Sequence, residues 1–219
     1  MNETVHHPGR LITIEGGEGA GKSTVIAALI AALEARGLVV HSAREPGGTA
    51  VGEAVRELVL NPVWHQRLCA ESELLLMFAA RAQLVRERIL PALAAGEVVV
   101  SDRFTDASFA YQGGARGQPW ERIRELERWA ACDLQPDLTF LLDLPVAVGR
   151  ARISARGESD RMEREQDAFF ERVHLAYLRR AEEFPERIRV IDASQNQAQV
   201  AQAVLAELNR FWPPPGKTP

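Results

Sequence analysis

The chain has 219 residues, 46 % of them apolar and 26 % charged, with 26 Lys plus Arg against 30 Asp plus Glu and a net charge of −4. That balance excludes bulk disorder, predicts a core of ordinary size, and argues against a protein that coats nucleic acid. No apolar run approaches the ~18 residues of a membrane span, and two cysteines, Cys69 and Cys132, outside any C-x-x-C spacing, suit a reducing cytoplasm better than a disulfide scaffold or a zinc ribbon.

Residues 1–10 are polar and lack the apolar core of a signal peptide, so they read as a flexible leader. Leu11-Ile12-Thr13-Ile14-Glu15 is a short β-rich run that ends on glycines. Residues 22–36, rich in Ala, Leu and Ile, predict a helix that stops at Gly37. A second strand is expected over 38–43, a helix over 51–60, and a long helix over 71–93 with Pro91 near its end. Val98-Val99-Val100 is a continuous β-branched run, as for a strand buried on both faces. A helix over 121–131, a fourth strand over 138–142, helices over 146–155 and 165–183, a fifth strand over 189–191 and a helix over 200–211 follow. The proline-rich stretch 213–219 cannot continue a helix and reads as a frayed tail. Short buried strands alternating with helices predict a three-layer α/β/α sandwich around a five-stranded parallel sheet. It forms a single domain over 11–212, with ligands at the carboxyl ends of the strands.

Gly16-Gly17-Glu18-Gly19-Ala20-Gly21-Lys22-Ser23, with Thr24 next, fits G-x-x-x-x-G-K-[ST] at every fixed position, between a predicted strand and a predicted helix. Glycines let the backbone curl its N–H groups onto phosphate oxygens, and the helix N-terminus adds partial positive charge. Lys22 reaches the β- and γ-phosphates of a nucleotide, and the Ser23 hydroxyl is a ligand for Mg²⁺. Asp102, at the end of the third strand and followed by Arg103, is the favoured second metal ligand. Asp143 and Asp192 end later strands and read more simply as capping or turn residues. No N-K-x-D element for guanine occurs. Arg150, Arg152, Arg156 and Arg161 fall within twelve residues around Gly157, and they predict a mobile lid over about 150–164 that carries guanidinium groups to a transferring phosphoryl.

With these elements the chain resembles bacterial thymidylate kinases. The resemblance is carried by the phosphate loop, Arg44-Glu45-Pro46-Gly47-Gly48-Thr49, Asp102-Arg103-Phe104, Ala110-Tyr111-Gln112-Gly113-Gly114 and Arg156-Gly157-Glu158-Ser159-Asp160-Arg161, in matching order over residues 11–210. It implies transfer of the γ-phosphate of ATP to dTMP with Mg²⁺, by a cytoplasmic homodimer that needs neither membrane nor nucleic acid. It also implies a catalytic arginine from the lid, drawn from Arg152, Arg156 and Arg161, because Glu18 stands in the loop where other members carry arginine. By the same resemblance Glu18 meets the sugar 3′-hydroxyl, and Arg44, Glu45 and Pro46 lie beside the nucleoside. Arg56 and Arg103 meet the monophosphate, Arg81 the thymine, Ser108 and Gln112 the base edge, and Tyr111 the deoxyribose. Many members stack a phenylalanine on the base four residues before that arginine. Here Met77 stands four before and Phe78 three before, both on one helix face with Arg81, and Phe78 is favoured as the aromatic. Two other readings remain at this level: another small nucleoside or nucleotide kinase, and a P-loop module that binds ATP without an acceptor.

Overall fold

The computed structural model describes residues 8–154 and 160–214. In chain order the elements are β1 (Arg10–Gly16), α1 (Lys22–Glu34), β2 (Val40–Arg44), α2 (Ala50–Leu60) and α3 (Ala70–Leu84), which runs through a π-helical turn (Val85–Ile89) into α4 (Leu90–Ala94). Then come β3 (Val98–Asp102), α5 (Thr105–Ser108) with a π-helical extension (Phe109–Ala115), α6 (Trp120–Ala130), β4 (Leu138–Asp143), α7 (Val146–Ser154), α8 (Asp167–Glu183), β5 (Ile188–Asp192) and α9 (Gln197–Phe211). The single long helix expected over 71–93 is thus α3 and α4 joined by a widened turn. That turn lies just before Pro91, which has no N–H to give to the preceding turn. Among the described residues no helix is long and apolar enough to cross a membrane.

The five strands pair in parallel in the order β2-β3-β1-β4-β5, as the alternating pattern predicted. β1 is central, and the chain leaves it toward β2 and β3 on one side before crossing to β4 and β5 on the other. The crevice created by that reversal opens over the carboxyl end of β1, where the Gly16–Ser23 loop lies. Strand alternation sorts β1 cleanly. Ile12 and Ile14 join Val98, Val100, Phe140 and Leu142 against α1 and α9. Leu11 packs with Val99 toward α4, while Thr13 and Glu15 lie fully buried on the same opposite face. The register sets charged residues side by side at the active edge, with Arg44 opposite Asp102 and Asp143 opposite Asp192.

The helix over 105–115 has no counterpart among the expected elements, and adjacent Gly113 and Gly114 are poor helix formers. Tertiary packing supplies the reason for the glycines. A Cβ on Gly114 would lie 2.5 Å from Ala176 Cβ and 2.9 Å from Arg172 O, both on α8. The two helices therefore meet backbone to backbone. Gly114→Ala should lower stability by about 1–3 kcal/mol, since overpacking outweighs the gain in helix propensity. Urea unfolding would show it as a lower midpoint at unchanged slope, whereas an equal or higher midpoint would mean that α5 and α8 have room to part.

Candidate active site

The loop between β1 and α1 closes tightly on α7. Gly19 has φ +74°, and a Cβ there would fall 2.4 Å from Gly149 O, so glycine is required by conformation and by space. Lys22 folds back on the loop, its Nζ donating to Gly16 O (3.3 Å) and Gly17 O (3.1 Å). Burial, with Arg103 nearby, pushes its ammonium below the usual lysine range, against the pull of Glu18, Asp102 and Glu15. Ser23 and Thr24 stand exposed at the first turn of α1.

Arg103 follows β3 with φ +69°, a left-handed conformation that a non-glycine residue holds only when its surroundings enforce it. Its guanidinium donates to Gly16 O (2.9 Å), to the Tyr177 hydroxyl (3.0 Å) and to Glu18 Oε1 (2.6 Å). Glu18 Oε1 also accepts from the Tyr111 hydroxyl at 3.0 Å. Behind this group Glu15 is fully buried, accepting from Phe104 N (2.7 Å) and from the Tyr177 hydroxyl (2.7 Å).

Beside the loop lies a cavity of about 150 Å³. Four cations reach it from separate segments, Lys22, Arg44, Arg56 and Arg103, together with Glu18, Glu45, Pro46, Met77, Asp102, Tyr111, Gln112, Asp160 and Met162. Arg56 is steadied by Pro46 O (2.9 Å) and Arg44 by Glu53 (2.8 Å). Glu45 Oε1, Asp102 Oδ1 and Gln112 Oε1 are buried oxygens without a hydrogen-bond partner among the described residues. A second cavity of about 390 Å³ lies on the far side of the loop, lined by Gly19, Ala20, Gly21, Thr24, Arg152, Gln195 and Asn196. The arrangement is a phosphate-binding loop shared by two cavities, one of them cationic. Asp143 and Asp192 have other employment: Asp143 meets His174 Nε2 at 2.7 Å, and Asp192 accepts from Ser194 N (2.9 Å) in a turn.

Most residues expected at the site converge there, but several do not. Phe78 is 2 % exposed and packs with Leu74, Phe109, Ile123 and Ala130. Met77 takes the cavity wall instead, because one residue along α3 is a 100° rotation. Arg81 does not line the cavity either. It is buried, donating to Glu45 Oε2 (2.7 Å), Ser108 Oγ (3.0 Å) and Phe104 O (3.0 Å), and Ser108 is buried with it. Arg161 is not a lid arginine. It is 1 % exposed, with its guanidinium on Glu73 Oε2 (2.6 Å) and Val59 O, and its N–H on Leu60 O (2.9 Å). Arg152 lies at the far cavity, donating to Gly19 O (3.2 Å). Arg156 lies outside the described residues.

Glu15, Tyr177, Glu73, Asp160 and Met162 stand in or behind the site without being among the expected site residues. Two of these left a trace. Glu15 is an acid in a strand that must be buried on both faces, and Glu73 shares the helix face of Met77 and Arg81 at four-residue steps.

A central loop-bearing strand in a parallel sheet, with a cationic cavity against the loop, defines a P-loop nucleotide-dependent phosphotransferase. Comparison with known proteins narrows the class. The sequence profile of thymidylate kinase matches residues 14–204. The chain is 53 % identical over 204 residues to the thymidylate kinase of Nitrosomonas europaea, covering 93 % of this chain and 94 % of that one. It is 54 % identical to that of Chromohalobacter salexigens (92 % and 95 % covered) and 55 % identical to that of Bordetella pertussis (85 % and 88 %). The chain belongs to the thymidylate kinase family.

Burial, reinforced by Asp106, pushes the Glu15 carboxyl from about 4.5 up to about 8, despite Arg103 and its two hydrogen bonds. The native state therefore keeps a proton that the unfolded chain releases, and its stability falls as pH rises through that interval and levels off above it. Glu15→Gln should abolish this share of the fall. In melts from pH 5 to 9, the variant should gain on the parent by up to about 1.4 kcal/mol per pH unit below about 8, with no further gain above it. Parallel curves would show that Glu15 titrates as an ordinary carboxylate.

Proposed function

We propose that this chain transfers the γ-phosphate of ATP to dTMP, giving dTDP and ADP, with the acceptor in the cationic cavity and the donor on the phosphate loop and the far cavity. The observation that carries the reading is the convergence of Lys22, Arg44, Arg56 and Arg103 on one cavity at the loop, in a chain of this family. A nucleoside monophosphate brings close to two negative charges, which several guanidinium groups must balance. Glu18 and Tyr111 offer polar atoms to the sugar, and Gln112, Pro46 and Met77 a wall for the base.

Transfer needs no covalent intermediate. An oxygen of the acceptor phosphate attacks the γ-phosphorus in line, and the bond to the β-bridging oxygen breaks, leaving ADP. The protein supplies alignment and charge. Lys22 turns from Gly16 O and Gly17 O to the donor's phosphates, loop N–H groups hold the β-phosphate, and Arg103 orients the acceptor phosphate. In this reading Arg156 supplies the guanidinium that meets the transferring group, and Arg152, at the far cavity, serves the donor.

The residues also suit Mg²⁺. Asp102 Oδ1 is buried without a hydrogen-bond partner among the described residues, and Ser23 is exposed. Among the described residues no group of three His, Cys, Asp or Glu side chains makes a cage. Such a sparse oxygen set matches an ion that completes its shell with phosphate and water. When bound, Mg²⁺ neutralises charge on the β- and γ-phosphates. The reading includes a cytoplasmic homodimer. It is supported by two free, exposed cysteines and by exposed Val51, Leu58 and Leu75 on the packed pair α2 and α3. Family membership disfavours a P-loop module without an acceptor.

ADP release with ATP and a panel of dTMP, dUMP, UMP, dCMP, CMP and AMP should show dTMP as the best acceptor. Turnover that does not rise on adding dTMP would sink the reading. Lys22→Ala should cost at least about 10²-fold in kcat in a folded protein. Arg156→Ala should cost about 10³-fold in kcat with little change in the KM for dTMP, as for a contact made only in the transition state.

A further inference from the structure

We infer that Glu73 is a positioning residue for base specificity: it decides which end of the Gln112 amide faces the acceptor cavity. The inference rests on the reading of that cavity as the acceptor nucleotide's site. Glu73 is fully buried on α3. Its Oε2 takes Arg161 at 2.6 Å, its Oε1 takes Gln112 Nε2 at 2.8 Å, and Arg116 Nε straddles the two oxygens at 3.3 Å from Oε1 and 3.2 Å from Oε2. A carboxylate clamped by two guanidinium groups offers only acceptor atoms, so it can meet only the NH₂ end of an amide. The carbonyl end of Gln112 is thereby turned away from Glu73. Gln112 lines the cavity, is 1 % exposed, and has no partner for Oε1 among the described residues.

A buried acceptor without a donor asks its ligand for an N–H. Thymine and uracil carry an imide N3–H between two carbonyls, which answers it. Cytosine carries a bare acceptor nitrogen at N3, whose lone pair would face the lone pairs of Gln112 Oε1 with no proton between them. The amide in the opposite orientation would prefer cytosine, so the choice between imide and aminopyrimidine is made one residue behind the contact, by the charge on Glu73.

The test is Glu73→Gln. Arg161 has only donors and makes the shortest contact, so it will keep the new carbonyl oxygen, which Arg116 Nε also reaches, leaving the new NH₂ toward Gln112. Gln112 must then accept, turn its own NH₂ to the cavity, and favour the wrong base. The ratio of kcat/KM for dTMP over dCMP should fall at least about tenfold, with the KM for ATP unchanged. Gln112→Leu should lower the ratio as well, and adding Glu73→Gln to it should move the ratio no further. A general loss of packing would lower both acceptors together and leave the ratio where it was. Should Glu73→Gln fail to fold, the wild-type complex with dTMP gives an independent reading. The Gln112 amide protons should show Overhauser contacts to Glu73 side-chain protons and none to the base. An unmoved ratio in a folded variant, or amide protons directed at the base, overturns the role of Glu73. Failure of dTMP as an acceptor in the wild type overturns instead the reading of the site.

Discussion

Arg103 leaves β3 in a left-handed backbone conformation and spreads one guanidinium over the phosphate loop, Glu18 and Tyr177. The loop, the end of β3 and α8 come from distant parts of the chain, and this side chain ties them at distances of 2.6 to 3.0 Å. The strained backbone is held because the groups around it are themselves held. Tyr177 donates to the buried Glu15, Glu15 also accepts from Phe104 N, and Phe104 directly follows Arg103. The geometry of the cationic cavity depends on that closed circuit.

Arginine serves two physical purposes in this protein. Arg44, Arg56 and Arg103 line the cavity, where their charge is available to an anion. Arg81, Arg161 and Arg180 are among its largest fully buried side chains, each matched to a buried acid: Glu45, Glu73 and Asp106. Burial alone would raise the Asp106 carboxyl, but hydrogen bonds and charge from Arg187 and Arg180 hold it below the usual range. Such pairs contribute little net stability, because desolvation offsets most of the Coulomb attraction. Their use here is placement. Glu45 is braced by Arg81 against the cavity, and Arg161 pins the residues that follow 155–159 to the end of α2 and to Glu73.

The phosphate loop stands between the two cavities and touches both. Glu18 faces the cationic one, and Gly19 to Gly21 face the other. On its outer side the loop packs against α7 at Gly149, so close that neither glycine tolerates a Cβ. α7 leads into 155–159. The segment expected to carry the catalytic arginine thus follows a helix in backbone contact with the loop and precedes Arg161, which Glu73 and Val59 O hold in the interior.

The sequence by itself determined whatever is local or periodic. The loop was legible because its eight consecutive residues act through their own backbone. The parallel sheet was legible because β-branched runs alternate with helical spacing, and Asp102 because a strand end follows from a strand. What only the tertiary structure decided is which way a side chain points once helices pack. Met77 and Phe78 differ by one helical step, and nothing local says which rotation faces a cavity and which faces Phe109. Arg161 reads as a solvated lid arginine until α3 brings Glu73 to it from 88 positions away. Gly113-Gly114 carries no helical signal of its own, and it is α8 that requires glycine in that helix. Glu15 shows its raised affinity for a proton only inside a completed core, since desolvation belongs to the whole fold and not to any stretch of chain.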